Sequence, residues 1–479
     1  MRKRKDEYLY EKIASDLRRS INDGIYCVND RMPSIRALST QYMVSIATAI
    51  QAYDVLDGEG FTESRPKSGI FVRKQIIANK ELPEAITPHS RPTEVSVSQL
   101  SMSLVLECRA KHLAKLGAAV PGSDVLPLGA LSRTMSGVSR RMWKSPAVYA
   151  DLLGFSDLRR QIAKLMKDAG CRVHPNEIIV TNGALEALTL ALRTVAKTGD
   201  AIAIESPTYF GVLQVIEKLG MKAIEVTTQP NTGIDPSALQ KIILSRTVKA
   251  CVLMPNVSNP LGSTMPDDNK ASVVKMLAVA QIPLIEDDVF GTLSYSQPRP
   301  KAAKAYDTTN TVLYCSSFSK TLAPGYRIGW IVAGKYQEQV KYQKFLDNIS
   351  TTIIPQITLA EFLSRDAYKR CTKNTVRIYQ QRMNQLRHWV YQYFPANTRL
   401  TNPQGGMVLW VELPTEIDSL TLYRLALEKN IAISPGILFS PRQEYKNYVR
   451  LSCGNLSGEK ALKAVKKVGM LAKRQVKKG

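Results

Sequence analysis

The sequence predicts an α/β protein in which a small N-terminal domain precedes a large domain with a mostly parallel central sheet. Its 479 residues exceed the size of one ordinary hydrophobic core, so two or more domains are expected. Periodicity fades over residues 74–98, where three prolines interrupt a polar segment typical of a linker. We therefore predict domains over residues 1–73 and 99–479.

The first domain begins with three predicted helices. The first covers residues 8–22, where apolar side chains recur every fourth position at Leu9, Ile13, Leu17 and Ile21. Pro33-Ser34 opens a second helix over Ile35 to Tyr42, and Ser45 is a suitable N-cap for a third that ends at Gly58. In the third helix, the residues predicted to face inward are Ile46, Ile50, Tyr53 and Leu56.

Residues 61–72 are typical of two strands around a turn that contains glycine and proline. Three short helices and a hairpin describe a winged helix-turn-helix, whose third helix enters the major groove of DNA. Hydroxyl, amide and basic side chains suit base edges and phosphates, although each also fits an ordinary solvated surface. The predicted DNA contacts are Arg36, Ser45, Thr48, Gln51, Arg65 and Lys67.

This domain resembles the GntR family. The family's pattern corresponds here to Met32-Pro-Ser-Ile-Arg36, Val44-Ser-Ile-Ala-Thr48 and a wing at Arg65-Pro-Lys-Ser-Gly69. Two positions depart from it: Ile46 stands where a basic residue is frequent, and Asn29 replaces a common turn glycine. These departures bear on base preference more than on the fold.

The large domain alternates short apolar runs with helical patterns, which predicts βα units and a largely parallel sheet covered on both faces. The predicted strands are residues 177–180, 201–204, 250–254, 283–286 and 311–315. Near Pro355 the pattern changes to helices and then to mixed sequence with strands at 408–411 and 448–451. A small α+β subdomain is therefore predicted over about residues 355–479.

The segment Cys315-Ser-Ser-Phe-Ser-Lys-Thr-Leu-Ala-Pro-Gly-Tyr-Arg-Ile-Gly329 carries the strongest chemical signal. A lysine directly after a buried strand, flanked by hydroxyls and followed by an arginine in a glycine-rich turn, suits a Schiff base with pyridoxal phosphate. Lys320 is the predicted amine, because a desolvated lysine is nucleophilic when neutral. Ser317, Ser319 and Arg327 are the predicted phosphate ligands.

Residues 100–479 resemble the fold-type I aminotransferases. The resemblance implies that Asp287 pairs with the pyridinium nitrogen, with Asp288 as the weaker candidate. It implies that Asn259 binds the ring hydroxyl oxygen and Tyr209 stacks on the ring. It further implies that Gly183 and Ala184 cradle the phosphate and that Arg450 clamps the α-carboxylate of a substrate. Tyr149 would contact the phosphate bound in a neighbouring subunit.

Two residues depart from the aminotransferase pattern. Phe290 stands where a tyrosine usually donates to the ring oxygen, a loss on the order of 1–2 kcal/mol of hydrogen bonding. Leu185 stands near the phosphate turn, where a polar residue is common. Cofactor binding is expected to survive through Asn259, whereas the efficiency of catalysis stays open.

Composition restricts the remaining classes. No apolar run is long enough to span a membrane, and seven scattered cysteines without a CxxC pair favour reduced thiols in a cytoplasm and no metal site. The formal net charge is +24, which favours polyanions such as DNA but equally suits a soluble surface. Residues 1–75 contain 13 Lys and Arg against 10 Asp and Glu, so most of the excess lies in the large domain.

The two resemblances together point to the MocR branch of GntR regulators. They imply a domain-swapped homodimer that binds a double-stranded DNA operator and uses pyridoxal phosphate, with an amino acid or amine, as effector. Two alternatives stay open: a working amino-acid aminotransferase with an appended DNA-binding domain, and a body that binds the cofactor only for structural support. Whether the chain is an enzyme is not decided by the sequence.

Overall fold

A computed structural model of the chain describes residues 8–65, 68–73, 81–88, 90–107, 113–147, 149–365, 367–456 and 458–476. Lys67, predicted at the tip of the wing, lies outside these ranges. Within them the chain forms fifteen α-helices and sixteen β-strands. No helix in this part of the chain is long and apolar enough to cross a membrane.

The N-terminal domain is the predicted winged helix-turn-helix, called the head below. Its elements are α1 (Leu9–Asn22), α2 (Ile35–Gln41), α3 (Ile46–Gly58), β1 (Thr62–Arg65) and β2 (Gly69–Val72). The side-chain oxygens of Ser34 and Ser45 each accept a backbone N–H three residues on, at 3.1 Å. Each bond satisfies a donor that the start of α2 or α3 would otherwise leave open.

The predicted inward face of α3 is partly wrong. Tyr53 and Leu56 are buried, but Ile46 is 53% exposed and Ile50 is 40% exposed. The residues that pack inward with Tyr53 and Leu56 are Ala49 and Ala52, which follow the three- and four-residue spacing of one helix face. The prediction chose the face with Ile46 and Ile50 because the small side chains of Ala49 and Ala52 give a weaker apolar signal.

The segment before the large domain is extended and packs against that domain. Thr93 exchanges two backbone hydrogen bonds with Ala223, at 2.8 and 2.9 Å, and Val95 and Val97 are buried. The described part of the predicted linker therefore lies against the large domain from well before residue 98.

The large domain, called the body below, contains the remaining elements. Its first part comprises α4 (Ser98–Glu107), β3 (Ala114–Lys115), α5 (Leu128–Arg141), α6 (Ser156–Asp168), β4 (Ile178–Thr181), α7 (Ala184–Val195), β5 (Ala201–Ser206), α8 (Phe210–Lys218), β6 (Lys222–Gln229), β7 (Gly233–Ile234), α9 (Pro236–Leu244), β8 (Val248–Leu253), α10 (Asp267–Val279), β9 (Leu284–Asp287), β10 (Val312–Ser317), β11 (Gly329–Val332) and α11 (Gln337–Asn348). The second part comprises α12 (Ile353–Leu363), α13 (Ala367–Tyr393), β12 (Arg399–Leu400), β13 (Val408–Glu412), α14 (Ser419–Leu427), β14 (Ile431–Ala432), β15 (Ser434–Pro435), β16 (Tyr448–Ser452) and α15 (Gly458–Val476).

The central sheet confirms the predicted α/β class. Its order is β4-β11-β10-β9-β8-β5-β6-β7, and only β11 and β7 run against their neighbours. Along β10, Leu313 and Cys315 pack into one apolar cluster, whereas Val312 and Tyr314 pack into clusters on the other face. Burial on both faces explains why these strands appear in the sequence as continuous apolar runs.

The C-terminal part holds a second, antiparallel sheet in the order β12-β13-β16-β15. Its apolar residues share one core with α13, α14 and α15, which includes the fully buried Trp410. This is the predicted small α+β subdomain.

Candidate functional site

The candidate site lies where parallel strands of the central sheet end. Strands β4, β5, β9 and β10 are parallel, so their carboxyl ends meet at one edge, which is where α/β sheets bind ligands. Gly183, Tyr209 and Lys320 follow three of these strands, and Asp287 is the last residue of β9. The alternating topology therefore brings together side chains that are far apart in the sequence.

Lys320 ends a single helical turn after β10. The turn begins at Ser317, whose side chain accepts the Ser319 N–H at 3.3 Å. Lys320 Nζ donates to the carbonyl of Ala119 at 2.6 Å and lies 5.7 Å from the ring centroid of Phe290. The predicted amine therefore points into the site.

Burial lowers the pKa of Lys320 to about 8; the charge of Arg450 acts in the same direction, and Asp287 opposes it. Roughly a tenth of such amines are neutral at pH 7, compared with about one in a few thousand at the ordinary lysine pKa. The site therefore holds Lys320 in a state suited to nucleophilic attack on a carbonyl group.

Asp287 and its neighbour Asp288 have different surroundings. Asp288 accepts hydrogen bonds from Arg299 at 2.7 Å, from Tyr314 at 2.7 Å and from Asn256 at 3.2 Å. Among the described residues, the hydrogen bond that Asp287 accepts comes from the Val289 N–H at 3.2 Å. Asp288 is thus fully engaged by the protein, which supports Asp287 as the carboxylate available to a ligand.

Gly183 and Arg327 form a cradle suited to an anion. Gly183 precedes α7 with φ 83°, and a Cβ there would overlap Nη2 of Arg327. Arg327 donates to the Asn182 carbonyl at 3.0 Å and to Ser319 Oγ at 3.4 Å. A helix N-terminus beside a guanidinium favours a phosphate group. Leu185 is exposed in the first turn of α7.

Arg450 lies on β16 and reaches the site from the small subdomain. It is 2% exposed, and its guanidinium donates to Asn259 Oδ1 at 2.9 Å and to the Gly117 carbonyl at 2.6 Å. It also donates to Ser434 Oγ at 3.3 Å. The two residues predicted for the substrate carboxylate and the ring oxygen are therefore in direct contact.

The two predicted tyrosines lie in different places. Tyr209 caps α8, and burial raises the pKa of its hydroxyl while the charge of Arg450 lowers it. Tyr149 is 81% exposed on this chain. Its exposure agrees with a role toward another subunit and not toward this site.

Most of the predicted DNA contacts are exposed on the head. Arg36, Ser45, Gln51 and Arg65 are exposed, whereas Thr48 is half-buried with its hydroxyl 2.9 Å from Ser45 Oγ. Arg65 donates to Glu63 at 2.7 Å and to Asn29, which has φ 70° as expected for a glycine replacement. Arg65 is therefore held by its own hairpin in this structure.

The motifs gave no prediction for residues 117–122, which also belong to the site. The carbonyls of Gly117 and Ala119 receive hydrogen bonds from Arg450 and Lys320. A Cβ at Gly117 would overlap the backbone of Ile433 and Ser434, so this position requires glycine. The run of small residues, Gly117-Ala-Ala-Val-Pro-Gly122, is the sequence signal for this close approach.

The residues present fit pyridoxal phosphate. The buried carboxylate of Asp287 has few protein partners and suits the ring nitrogen of the cofactor. Lys320, with its lowered pKa, suits the aldehyde, and the cradle at Gly183 suits the phosphate. The donors of the cradle are nitrogen and hydroxyl groups, which suit a phosphate dianion.

Gly183→Ala is expected to weaken binding of pyridoxal phosphate by about tenfold or more. The added methyl group would strain the backbone and displace the Arg327 guanidinium, an effect of about 1.4 kcal/mol or more. The matched control is Gly199→Ala, because Gly199 has φ 88° and open space around its Cβ. Titration of both variants with the cofactor separates backbone strain from loss of the cradle; equal affinities would contradict the assignment.

Comparisons with known proteins agree with this arrangement. Residues 137–468 match the aminotransferase class I and II family, and residues 9–72 match the gntR family of bacterial regulatory proteins. The uncharacterized HTH-type transcriptional regulators YjiR and YdcR of Escherichia coli strain K12 are each 34% identical over 462 residues, 96% of this chain and 98% of each relative. A solved structure of Pyrococcus horikoshii kynurenine aminotransferase, in complex with PMP, has a TM-score of 0.74 and 26% identity, covering 80% of this chain and 96% of that one. The aminotransferase fold implies pyridoxal phosphate as cofactor. The chain therefore belongs to the GntR-type DNA-binding transcription regulators whose C-terminal part is a class I and II aminotransferase domain.

Proposed function

We propose that the body of this regulator binds pyridoxal phosphate at Lys320 and an amino compound beside it, and that this ligand changes the affinity of the head for DNA. The observation that carries the proposal is α13. This single helix contacts the segment that supplies carbonyls to Lys320 and Arg450, and it also contacts the head. It therefore offers a continuous physical connection between ligand and DNA.

Helix α13 contacts residues that lie beside the ligand site. Tyr368, in its first turn, lines a small cavity together with Thr321, which directly follows Lys320. Thr375 Oγ1 donates to the Val125 carbonyl at 3.0 Å, and Arg382 pairs with Asp124. The segment that ends with these two residues also supplies the carbonyls that hold Lys320 and Arg450.

The same stretch of α13 also contacts the head. Arg377 Nη1 lies 2.8 Å from Asp54 Oδ2, and Asn384 donates to the carbonyl of Gly58 at the end of α3. Burial lowers the pKa of His388, with Arg73 acting in the same direction and Glu63 opposing it. Glu63 lies on β1 and Arg73 directly follows β2, so α13 lies near the hairpin of the head as well as near α3.

The proposed coupling follows from these contacts. A ligand that engages Lys320 and Arg450 competes with the carbonyls of Ala119 and Gly117 for their protons. The same segment contacts α13, and α13 contacts the head. The segment would therefore have one arrangement with ligand and another without it, and the head would bind DNA with a different affinity in each. A ligand shifts the heads only by its differential affinity for those arrangements.

The residues of the site would then have separate roles. When bound, pyridoxal phosphate supplies an aldehyde that condenses with primary amines and a ring that withdraws electrons. Lys320 presents the amine, Asp287 keeps a proton on the ring nitrogen, and Arg450 orients the carboxylate of the amino compound. The ring oxygen, ring face and phosphate would be held by Asn259, Tyr209, Gly183, Ala184, Ser317, Ser319 and Arg327.

We further propose a homodimer in which heads are exchanged between subunits, so that the contacts of α13 with a head seen here within one chain form between the two subunits. Tyr149 is exposed here, although the family pattern assigns it to a neighbouring phosphate. Large apolar side chains close to it in sequence are also exposed, namely Leu128, Met142 and Trp143. Such a concentration of aromatic and apolar surface is typical of a subunit interface.

Arg36→Ala is expected to weaken DNA binding by about 1–3 kcal/mol and to lower the slope of log affinity against log salt by roughly 1. Arg36 is exposed on α2, so the substitution removes a contact and no packing. Arg19→Ala, on the exposed side of α1, is the matched control. Fluorescence anisotropy across a salt series measures both; a normal slope for Arg36→Ala would exclude it as a DNA contact.

The second candidate is an amino-acid aminotransferase with an appended head. It is favoured by Lys320, Asp287 and Arg450 meeting in one site. Phe290 argues against efficient turnover, because its ring faces Lys320 where a tyrosine would donate a proton. Rapid multiple-turnover transamination with a panel of amino acids, together with no DNA retention at moderate salt, would favour this candidate over the regulator.

A further inference from the structure

Helix α13 carries an unusual set of charges. Its 27 residues include six basic side chains and no acidic one. Arg387 is buried and Arg382 is paired with Asp124, whereas Arg377 pairs with the head. The remaining three, Lys369, Arg370 and Lys373, are exposed in the first two turns. They are called the α13 basic face below.

The α13 basic face is not explained by the stability of the helix. Among the described residues, no carboxylate oxygen forms an ion pair with these three side chains. Cations in the first turn also oppose the helix dipole, which favours negative groups there. Their placement therefore has a cost that a partner of opposite charge would offset.

The position of the face relative to α3 identifies such a partner. Asp54 of α3 meets Arg377, and Gly58, one turn later, meets Asn384 and lies beside Gln381. Residue numbers rise together along both helices, so α3 and α13 run in the same general direction. The N-terminal turns of α13 thus lie toward the N-terminal end of α3, which reads DNA.

Toward that end both helices have side chains exposed to solvent. On α3, Ala47 and Gln51 continue the side that carries Asp54 and Gly58, yet both are exposed. The facing turns of α13 are exposed as well. The N-terminal half of α3 and the α13 basic face are therefore both accessible to a ligand in solvent.

The helix that reads DNA has no basic group of its own to neutralise phosphates. Helix α3 contains no lysine or arginine and two aspartates. Arg18 is paired with Glu59, and Arg65 is paired with Glu63. Because DNA affinity arises largely from neutralised phosphates, basic groups of the body near α3 would add to the affinity that exposed residues of the head such as Arg36 provide.

We propose that Lys369, Arg370 and Lys373 form a second DNA-binding surface, on the body, that binds backbone phosphates of double-stranded DNA beside the bases read by α3. These contacts do not discriminate between sequences, since they involve phosphates alone. The proposal rests on the DNA-binding function of the family and is independent of ligand sensing.

The test compares two triple variants of the full-length protein without any amine. One is Lys369→Gln/Arg370→Gln/Lys373→Gln; the control, Lys241→Gln/Lys249→Gln/Lys275→Gln, removes three exposed basic residues on α9, β8 and α10. Both change the net charge equally, and retained cofactor absorbance shows that each is folded. The probes are a random-sequence duplex and a duplex selected by the wild type, both studied by anisotropy over a KCl series.

The α13 variant is expected to bind both duplexes at least about tenfold more weakly and to lower the salt slope by roughly 2–3, since each lost phosphate contact contributes about 0.9. The control is expected to stay within about twofold of the wild type. Equal losses in the two variants, or an unchanged salt slope in the α13 variant, would overturn the proposal. Failure of ligand sensing would appear separately, as DNA affinity that no amine changes.

Discussion

Lys320→Ala is expected to abolish retention of pyridoxal phosphate through desalting. The substitution removes the amine that lies in the site with a pKa of about 8, and the other contacts to the cofactor are non-covalent. Loss of the visible absorbance of the bound cofactor measures the effect. The same variant is expected to show no change of DNA affinity when cofactor and amines are added.

The control for this prediction is Lys335→Ala. Lys335 is exposed after β11 and has no contact with the site among the described residues. It is expected to keep both the absorbance and the ligand response. If Lys320→Ala kept an effector-dependent change of DNA binding, the body would support the structure and would not sense through Lys320.

Asp287→Asn and Asp288→Asn are expected to have opposite effects on the stability of the cofactor-free protein. Asp288 is buried against Arg299 and also accepts from Tyr314, so its removal leaves a buried cation without its counter-charge. Loss of one partner of such a pair costs about 3–5 kcal/mol in the free energy of unfolding. Asp287→Asn is expected to stabilise the cofactor-free protein at neutral pH while weakening cofactor binding.

The stabilisation by Asp287→Asn has a defined pH dependence. Burial raises the pKa of Asp287 to about 7, from an ordinary value of 3.8 in the unfolded chain. Between these values the unfolded state loses its proton first, so the free energy of unfolding falls as pH rises, by up to about 1.4 kcal/mol per pH unit. The advantage of the Asp287→Asn variant should therefore be absent near pH 4, grow toward pH 7 and then level off.

Denaturation by urea at several pH values measures both substitutions. The asparagine variants are nearly isosteric with the wild type, so packing is conserved and charge is the variable. An Asp288→Asn protein as stable as the wild type would contradict the assignment of the two neighbouring carboxylates to structure and ligand.

The parts of the fold that were predictable from the sequence are those with strong local signals. The strands that lead to Gly183, Asp287 and Lys320 begin with buried apolar residues because both faces of the sheet are covered. Their functional residues follow directly at the strand ends, where a motif is recognised without knowledge of the tertiary structure. The caps at Ser34 and Ser45 were predictable for the same local reason.

Contacts between distant segments were not predictable. The inward face of α3 depends on Ala49 and Ala52, whose small side chains carry little periodic signal. The hydrogen bond from Lys320 to Ala119 involves a backbone carbonyl, which no residue type encodes. The meeting of Asp54 with Arg377 joins two surface charges 323 positions apart, and each alone resembles any solvated side chain.

The roles of individual site residues stay predictions until they are tested. Tyr149 depends on a second subunit, and Lys67 lies outside the described ranges. Arg65 forms an ion pair with Glu63, so it would have to exchange this carboxylate for a phosphate on binding DNA.

The central claim is that ligand binding in the body changes DNA binding by the head. The direct measurement is the affinity of the wild type and of Lys320→Ala for a duplex selected from a random-sequence pool. It is made with and without pyridoxal phosphate and across a panel of amino acids and amines. We expect at least one amine to change the affinity of the cofactor-loaded wild type by about fivefold or more, about 1 kcal/mol of coupling, and to leave Lys320→Ala unchanged. Identical affinities of the wild type under all these conditions would contradict the claim.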